Sequence, residues 1–153
     1  MVYSIAYHFL RDRTAAEEVA QDVFMELHAG LAKAKINSGQ HATNWLRRVA
    51  CHRSIDYARR LPKATQVDWD SIPEPAQPAV ANDPMRSEHL RQMVASLPEK
   101  MRLVMILKYQ EEADPEEIAE ALNMPVNTVK SHIHRALEML RSKMGLAEGK
   151  ASA

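Results

Sequence analysis

Five of the eight prolines fall between Leu61 and Met85: Pro62, Pro73, Pro75, Pro78 and Pro84. Each removes a backbone donor and biases the residue before it away from the helical region, so no long regular element can run through this stretch. Asp68, Asp70, Glu74 and Asp83 are interspersed and no helical periodicity is present, so 61–85 reads as an extended, semi-rigid linker. It divides the chain into a front half, 1–60, and a back half, 86–144, followed by a tail, 145–153.

On both sides of that linker the pattern is helical. Four glycines and 5% aromatic residues are too few for the turns and strand faces of an all-β protein. Ala, Leu, Glu, Arg and Met dominate, which are good helix formers. The expected class is therefore all-α, as two small helical domains. In the front half, Ala16, Val19, Ala20, Val23, Phe24, Leu27 and Leu31 recur at three- and four-residue steps. They predict a helix over 14–32 capped by Thr14, with Met1–Leu10 ending an earlier one. A polar loop with Asn37-Ser38-Gly39 follows, then a helix over 43–60 with Trp45, Leu46, Val49, Ala50 and Ile55 inward. The back half reads as four helices. One starts near Pro84, one opens at Pro98, a short one is capped by Asp114 with Pro115 at its first position, and a last one runs from Val126 until Gly145 stops it.

Lys+Arg and Asp+Glu are equal at 20 each, so only the distribution of charge is informative. Between His41 and Lys63 there are six cations, Arg47, Arg48, Arg53, Arg59, Arg60 and Lys63, against Asp56 alone. Between Arg11 and Glu26 the balance reverses, with Asp12, Glu17, Glu18, Asp22 and Glu26 against Arg11 and Arg13. A neutral chain with one basic and one acidic face can meet two partners of opposite charge. Cys51 is the lone cysteine, so no intrachain disulfide forms and a reducing, cytoplasmic setting fits. Met1–Leu10 lacks a basic leader and is broken by His8, so it reads as neither a signal peptide nor a membrane span.

The strongest local signal is 115–140. A short helix with Ile118, Ala119 and Leu122 inward meets a longer one with Val129, Ile133, Ala136, Leu137 and Leu140 inward. Between them Asn123-Met124-Pro125 makes a tight turn, Asn tolerating the left-handed conformation. The small Ala119 permits the close helix crossing of a helix-turn-helix. Asn127, Thr128, Lys130, Ser131, His134 and Arg135 point outward in the first turns of the second helix, and such residues bond base edges and phosphates in a major groove. An ordinary helical hairpin with a solvated polar face is the competing account. The basic helix can follow a phosphate backbone, with Trp45 available for the core or for stacking on a base. On the acidic helix Met25 stands exposed among Glu17, Glu18, Gln21 and Asp22, which suits a protein-docking surface.

Nothing in the sequence supports catalysis or a cofactor. There is no Gly-rich phosphate loop, no pair of Cys ligands and no nucleophile elbow. His132 and His134, two apart on a helix, diverge and do not form a shared metal site. Cys51 lies inside a helix and reads as a packing residue.

Over 1–60 and 86–144 the chain resembles the extracytoplasmic-function group of bacterial sigma factors. Ala15-Ala16-Glu17-Glu18-Val19-Ala20-Gln21-Asp22-Val23-Phe24 is similar to the part of their region 2 that docks on the coiled coil of the polymerase β′ subunit. Trp45-Leu46-Arg47-Arg48-Val49-Ala50 through Ser54-Ile55-Asp56-Tyr57-Ala58-Arg59-Arg60 resembles their helix that melts and reads the −10 element. Leu97-Pro98-Glu99-Lys100, Glu116-Glu117-Ile118-Ala119 and Thr128-Val129-Lys130-Ser131 resemble region 4, which reads the −35 element. The resemblance implies core-polymerase contacts at Glu17, Glu18, Gln21, Asp22 and Met25. It implies −10 contacts at Trp45, Arg48, His52, Arg53, Asp56, Arg59 and Arg60, with the loop 33–44 capturing an unpaired base. The −35 contacts fall on Asn127, Thr128, Lys130, Ser131, His134 and Arg135. Core polymerase and promoter DNA are then the partners, a cognate anti-sigma factor is a further candidate, and the polymerase supplies all catalysis.

Three positions depart from the family pattern: His52 replaces an Asn in the −10 helix, Ala42 an aromatic before Trp45, and Asn123 a Gly in the turn. The family also has one more helix before Tyr3, so the front domain reads as short or truncated. Two other functions remain at this point. Thr128-Val129-Lys130-Ser131-His132-Ile133 also resembles the output domain of LuxR-type regulators, which act on duplex DNA without polymerase, although 1–60 shows no strands for a receiver. A helical adaptor or anti-factor without a DNA role is the other.

Overall fold

All described regular structure in the computed structural model is helical: α1 (Val2–Leu10), α2 (Arg13–Ala32), α3 (Gly39–Arg60), α4 (Pro84–Ala95), α5 (Glu99–Tyr109), α6 (Pro115–Leu122) and α7 (Val126–Ala151). The structure describes residues 1–33, 39–61 and 84–151, the side chains of 84–87 and 146–151 excepted. Most of the segment expected to be a linker lies outside the described residues.

The α1–α2 corner is set by two residues. Arg11 adopts a left-handed conformation (φ 56°, ψ 32°) and its N–H bonds the Tyr7 carbonyl, ending α1. The chain then has room for a single capping position, and Asp12 fills it: Oδ1 accepts from the N–H groups of Thr14 (2.9 Å) and Ala15 (3.3 Å). The cap is thus Asp12, not Thr14, because the connection is shorter than the sequence pattern suggested. The buried face of α2 is Ala15, Ala16, Val19 and Val23. Phe24 and Leu31, expected inward, are 52% and 54% exposed. Phe24 follows the fully buried Val23 by one residue, about 100° around the helix, and so falls on the adjoining face.

Helix α3 begins at Gly39 rather than Thr43. The added turn is held by bonds across one turn, from the Thr43 hydroxyl to the Gly39 carbonyl (3.0 Å) and from Gln40 to Asn44 (3.2 Å). The part of the expected base-capturing loop from Gly39 to Asn44 is therefore helical, and 34–38 lie outside the described residues. Helix α7 also outruns its expected end. Gly145 is helical and costs about 1 kcal/mol relative to alanine, which weakens a helix without stopping it.

The two halves share one buried core. Ile5, Val19 and Val23 from the front belong to the same cluster as Leu103, Leu107, Ile118 and Val129 from the back. Helix α3 lies on α6, and α1 on α5. A second cluster, with Met93, Leu97, Met101, Met105, Ala136 and Leu140, holds α4 against α5 and α7. Methionine fits such irregular three-helix junctions because its thioether chain is flexible.

Candidate nucleic-acid and partner interfaces

The helix-turn-helix is built by local chemistry. The Asp114 carboxylate accepts from the Glu117 N–H (2.9 Å), and Glu117 Oε2 accepts from the Asp114 N–H (3.0 Å), a reciprocal pair that starts α6 behind Pro115. At the other end Asn123 is left-handed (φ 50°, ψ 55°) and its N–H returns to the Ala119 carbonyl, as expected for this turn. Met124 N–H bonds the same carbonyl, and Val129 N–H bonds that of Pro125, opening α7. Ile118 and Val129 are fully buried between the helices.

The opposite face of α7 is open. Asn127, Lys130, Ser131, His134 and Arg135 are exposed and Thr128 is half-buried. The Ser131 hydroxyl donates to the Asn127 carbonyl (2.9 Å), leaving its oxygen to accept a donor from outside. His134 Nε2 lies 3.2 Å from Glu138 Oε1 one turn on. Neither Lys130 nor Arg135 has an ion-pair partner among the described residues. His132 turns away from His134 and is half-buried, with Nδ1 buried and unpartnered. Among the described residues no group of three or more His, Cys, Asp or Glu is placed to hold a metal.

Helix α3 divides its arginines between two faces. Arg48, His52, Asp56, Arg59 and Arg60 are exposed, and Trp45 is half-buried against the core. Arg48, His52, Arg53 and Asp56 line a small concavity with Glu26. Arg53 is bound there in a bidentate pair with Glu26, Nε donating to Oε2 at 3.3 Å, and this bond holds its guanidinium above the usual pKa. Arg59 Nη2 reaches Glu99 Oε2 (3.3 Å) at the start of α5. Of the candidate −10 residues, Trp45, Arg53 and Arg59 are therefore engaged within the protein, and Arg48, His52, Asp56 and Arg60 face outward.

Arg47 was missed by sequence reasoning. It is 6% exposed, shares its inward face with Ala50, Cys51 and Ser54, and meets Glu117 of α6. The signal was present in the spacing, since 47, 50, 51 and 54 recur at helical steps, but an arginine next to another arginine gives no reason to place one of them inside. Cys51 is fully buried, and burial pushes its thiol up to about 12.

On α2 the residues Glu17, Glu18, Gln21 and Asp22 are exposed and Met25 is 71% exposed. Burial and the neighbouring Glu18 carboxylate raise the pKa of the Tyr57 hydroxyl, so Glu18 links this face to α3. Phe24 and Tyr3 join Gln21 and Met25 around a shallow groove that the sequence reading did not include. The groove is mainly apolar with the Glu17 carboxylate at its edge, a composition that suits protein docking.

The comparisons with known proteins agree with this arrangement. The Sigma-70 region 2 model matches residues 1–63 and the Sigma-70 region 4 model matches residues 87–140. The ECF sigma factor SigW of Bacillus subtilis is 31% identical over 94% of this chain and 82% of its own length. The ECF sigma factor RpoE of Cereibacter sphaeroides is 31% identical over 84% of this chain and 72% of its own. The fold matches the sigma factor RpoE of Bartonella quintana, solved with the anti-sigma factor NepR, at a TM-score of 0.70 and 18% identity, covering 94% of this chain and 89% of that one. A region 2 match throughout the front half leaves no receiver there and excludes both the LuxR-type and the adaptor readings. With both promoter-reading regions matched in order and relatives matched along most of their length, the chain belongs to the extracytoplasmic-function sigma factors, which direct bacterial RNA polymerase in transcription initiation.

Proposed function

We propose that residues 1–60 bind core polymerase and the −10 element and residues 86–144 the −35 element, with 61–85 connecting them. The exposed face of α2, Glu17, Glu18, Gln21, Asp22 and Met25, now joined by Phe24, docks on the polymerase. The outer face of α3, with Arg48, His52, Asp56 and Arg60, follows the −10 region, while Trp45, Arg53 and Arg59 become available as their internal contacts open. The first turns of α7 enter the −35 major groove, where Lys130 and Arg135 meet phosphates and bases.

The observation that carries this reading is the open polar face of α7 beyond a helix-turn-helix closed by Asn123. Two weak readers on one chain raise each other's effective concentration on DNA, so promoter spacing becomes part of specificity. The chain does no chemistry of its own and works in the cytoplasm alongside the polymerase. No helix among the described residues is long and apolar enough to cross a membrane. A protein of the anti-sigma class, like the one held by the Bartonella relative, is a further partner. Run-off transcription from a promoter library with purified core polymerase tests the assignment. Transcripts must depend on the chain, and Arg135→Ala must reduce them most at promoters with a strong −35 element.

A further inference from the structure

Four polar contacts between the halves of the chain share one pattern, a front-half donor on a back-half carboxylate. Arg11 meets Glu88 (3.7 Å), Arg47 meets Glu117 (3.7 Å), Arg59 meets Glu99 (3.3 Å), and the Asn44 amide donates to Glu120 (3.1 Å). Asn44, Arg47 and Arg59 all lie on α3, the helix assigned above to the −10 strand. Glu111, just past α5, also acts on this seam, opposing Arg47 at the buried Cys51 thiol. Carboxylates of the back half thus hold cations that a DNA backbone would otherwise neutralise.

Arg47 is the unexpected member. Its side chain is 8% exposed, its Nε is buried without a partner, and its other bonds go to Asn44 and Glu117. A buried ion pair is a poor way to join two helices, since apolar side chains of like volume do as well or better. Its inward neighbours Ala50, Cys51 and Ser54 are small and uncharged, so packing gives no reason for a guanidinium there. Arg48, the next residue, is exposed and lies about 100° around the helix. Lifting α6 from α3 would therefore widen the cationic strip of α3 from one face to two. Promoter geometry requires such a separation. Elements named for positions −10 and −35 lie about 25 base pairs apart, roughly 80 Å of duplex. Helix α6, the first of the helix-turn-helix, rests directly on α3, so the packed arrangement cannot reach both.

We propose that Arg47 is a DNA contact held in reserve: when the α3–α6 seam opens, it leaves Glu117 for a backbone phosphate of the −10 strand, and Arg59 leaves Glu99 in the same way. The inference rests on the assignment of α3 to the −10 element. In the packed chain the α6 carboxylates compete with phosphate for the same cation, so the free protein binds DNA weakly and opening adds a contact. Arg47 exchanges one anion for another, while Glu117 keeps its bond to the Asp114 N–H.

Glu117→Gln/Glu120→Gln in the full chain tests the proposal. Glutamine still accepts the Asp114 N–H, so α6 keeps its start, and circular dichroism checks the fold. The variant should be more extended than wild type by small-angle X-ray scattering. It should bind an oligothymidylate of about 12 nucleotides about fivefold or more tightly, as a larger fraction of chains has Arg47 free. Its slope of log affinity against log salt should steepen by about 0.7, one added single-strand phosphate contact. Adding Arg47→Met should remove both gains. Glu112→Gln/Glu116→Gln removes the same charge from two exposed carboxylates with no ion pair to α3 among the described residues, and should give neither. Glu120 is exposed, so Glu120→Gln alone gives a smaller gain of the same kind if the double variant is unstable. Unchanged affinity and salt slope, a gain that survives Arg47→Met, or an equal gain in the control would overturn the proposal. Arg48→Ala/Arg60→Ala separates that failure from failure of the −10 assignment. Weaker oligonucleotide binding there, with no effect of Arg47, removes only this inference; no change in either removes both.

Discussion

Arg47 of α3 and Glu117 of α6 face each other between the two halves of the chain, Nη1 3.7 Å from Oε1, with the arginine side chain 8% and the glutamate 30% exposed. Removing a guanidinium from water costs several kcal/mol and is recovered only through partners. Arg47 has two, Glu117 and Asn44 Oδ1 at 3.3 Å, while its Nε has none. Glu117 also accepts the Asp114 N–H and so seals the start of the helix-turn-helix. One side chain therefore starts α6 and compensates a buried charge in α3. A second bond, from Asn44 to Glu120 (3.1 Å), runs beside it.

Glu117→Ala is expected to cost about 3 kcal/mol of unfolding free energy, because Arg47 is left buried without its carboxylate. In an Arg47→Met background the same change should cost only about 1 kcal/mol, the share of the lost cap. Urea denaturation of the four proteins in this double-mutant cycle gives the coupling directly. Equal costs in the two backgrounds would mean that the ion pair contributes nothing.

Cys51 makes stability depend on alkaline pH. Its thiol is held up to about 12 in the folded chain, against an ordinary 9.0. Folding thus retains a proton that the unfolded chain gives up. The contribution is fully present below pH 9 and is lost as pH rises from there toward 12. Each unit in that window removes up to about 1.4 kcal/mol. Cys51→Ala should flatten this decline relative to wild type in urea midpoints measured at pH 9 and pH 10.5. The native thiol should also resist iodoacetamide at pH 8 and react only after unfolding.

What was legible in the sequence was what local chemistry decides. Asp114-Pro115 starts a helix by capping and fixed φ, and Asn123 takes the left-handed turn, so both ends of α6 could be read from a few residues. The α2 surface was partly legible: Met25 was read as exposed, but Phe24 was placed inside because residues 23 and 24 both satisfy a three-four spacing. Only the partners of α2 decide between them. The spacing put Arg47 in line with Ala50, Cys51 and Ser54 but gave no reason to bury a charge there, and the shared core was not legible at all. The contact of α3 with α6 joins residues far apart in the chain, across a segment whose composition suggests separation. The glutamates that face α3 look, in sequence, like the solvated side of an amphipathic helix. Long-range compensation of charge has no periodicity to read.

Asn123→Gly should leave stability within about 0.5 kcal/mol of wild type, since glycine takes the same left-handed backbone at little cost. Asn123→Val should lose about 1–2 kcal/mol, because a β-branched residue clashes there. Thermal unfolding monitored by circular dichroism measures both. The valine variant should also weaken −35 duplex binding beyond its loss of stability, as the turn sets the angle at which α7 leaves α6. Normal DNA affinity in a destabilised Asn123→Val protein would show that the crossing angle is fixed by the core instead.

The proposed division of labour between α2 and α7 predicts opposite responses from substitutions on the two helices. Arg135 is exposed and Met25 is 71% exposed, so replacing either removes an outward group without opening a cavity. Arg135→Ala should weaken −35 duplex binding by about 1–3 kcal/mol if it reads a base edge, and leave association with core polymerase unchanged. Lys130→Ala should weaken all sequences alike and reduce the slope of log affinity against log salt by about 1, the signature of one lost phosphate contact. Met25→Glu should do the reverse, reducing polymerase association while isolated duplex binding persists. Fluorescence anisotropy with labelled duplex and pull-down on purified core polymerase read the two activities separately. Parallel loss of both in every variant would mean that the two faces act as one surface, which their positions on opposite halves of the chain argue against.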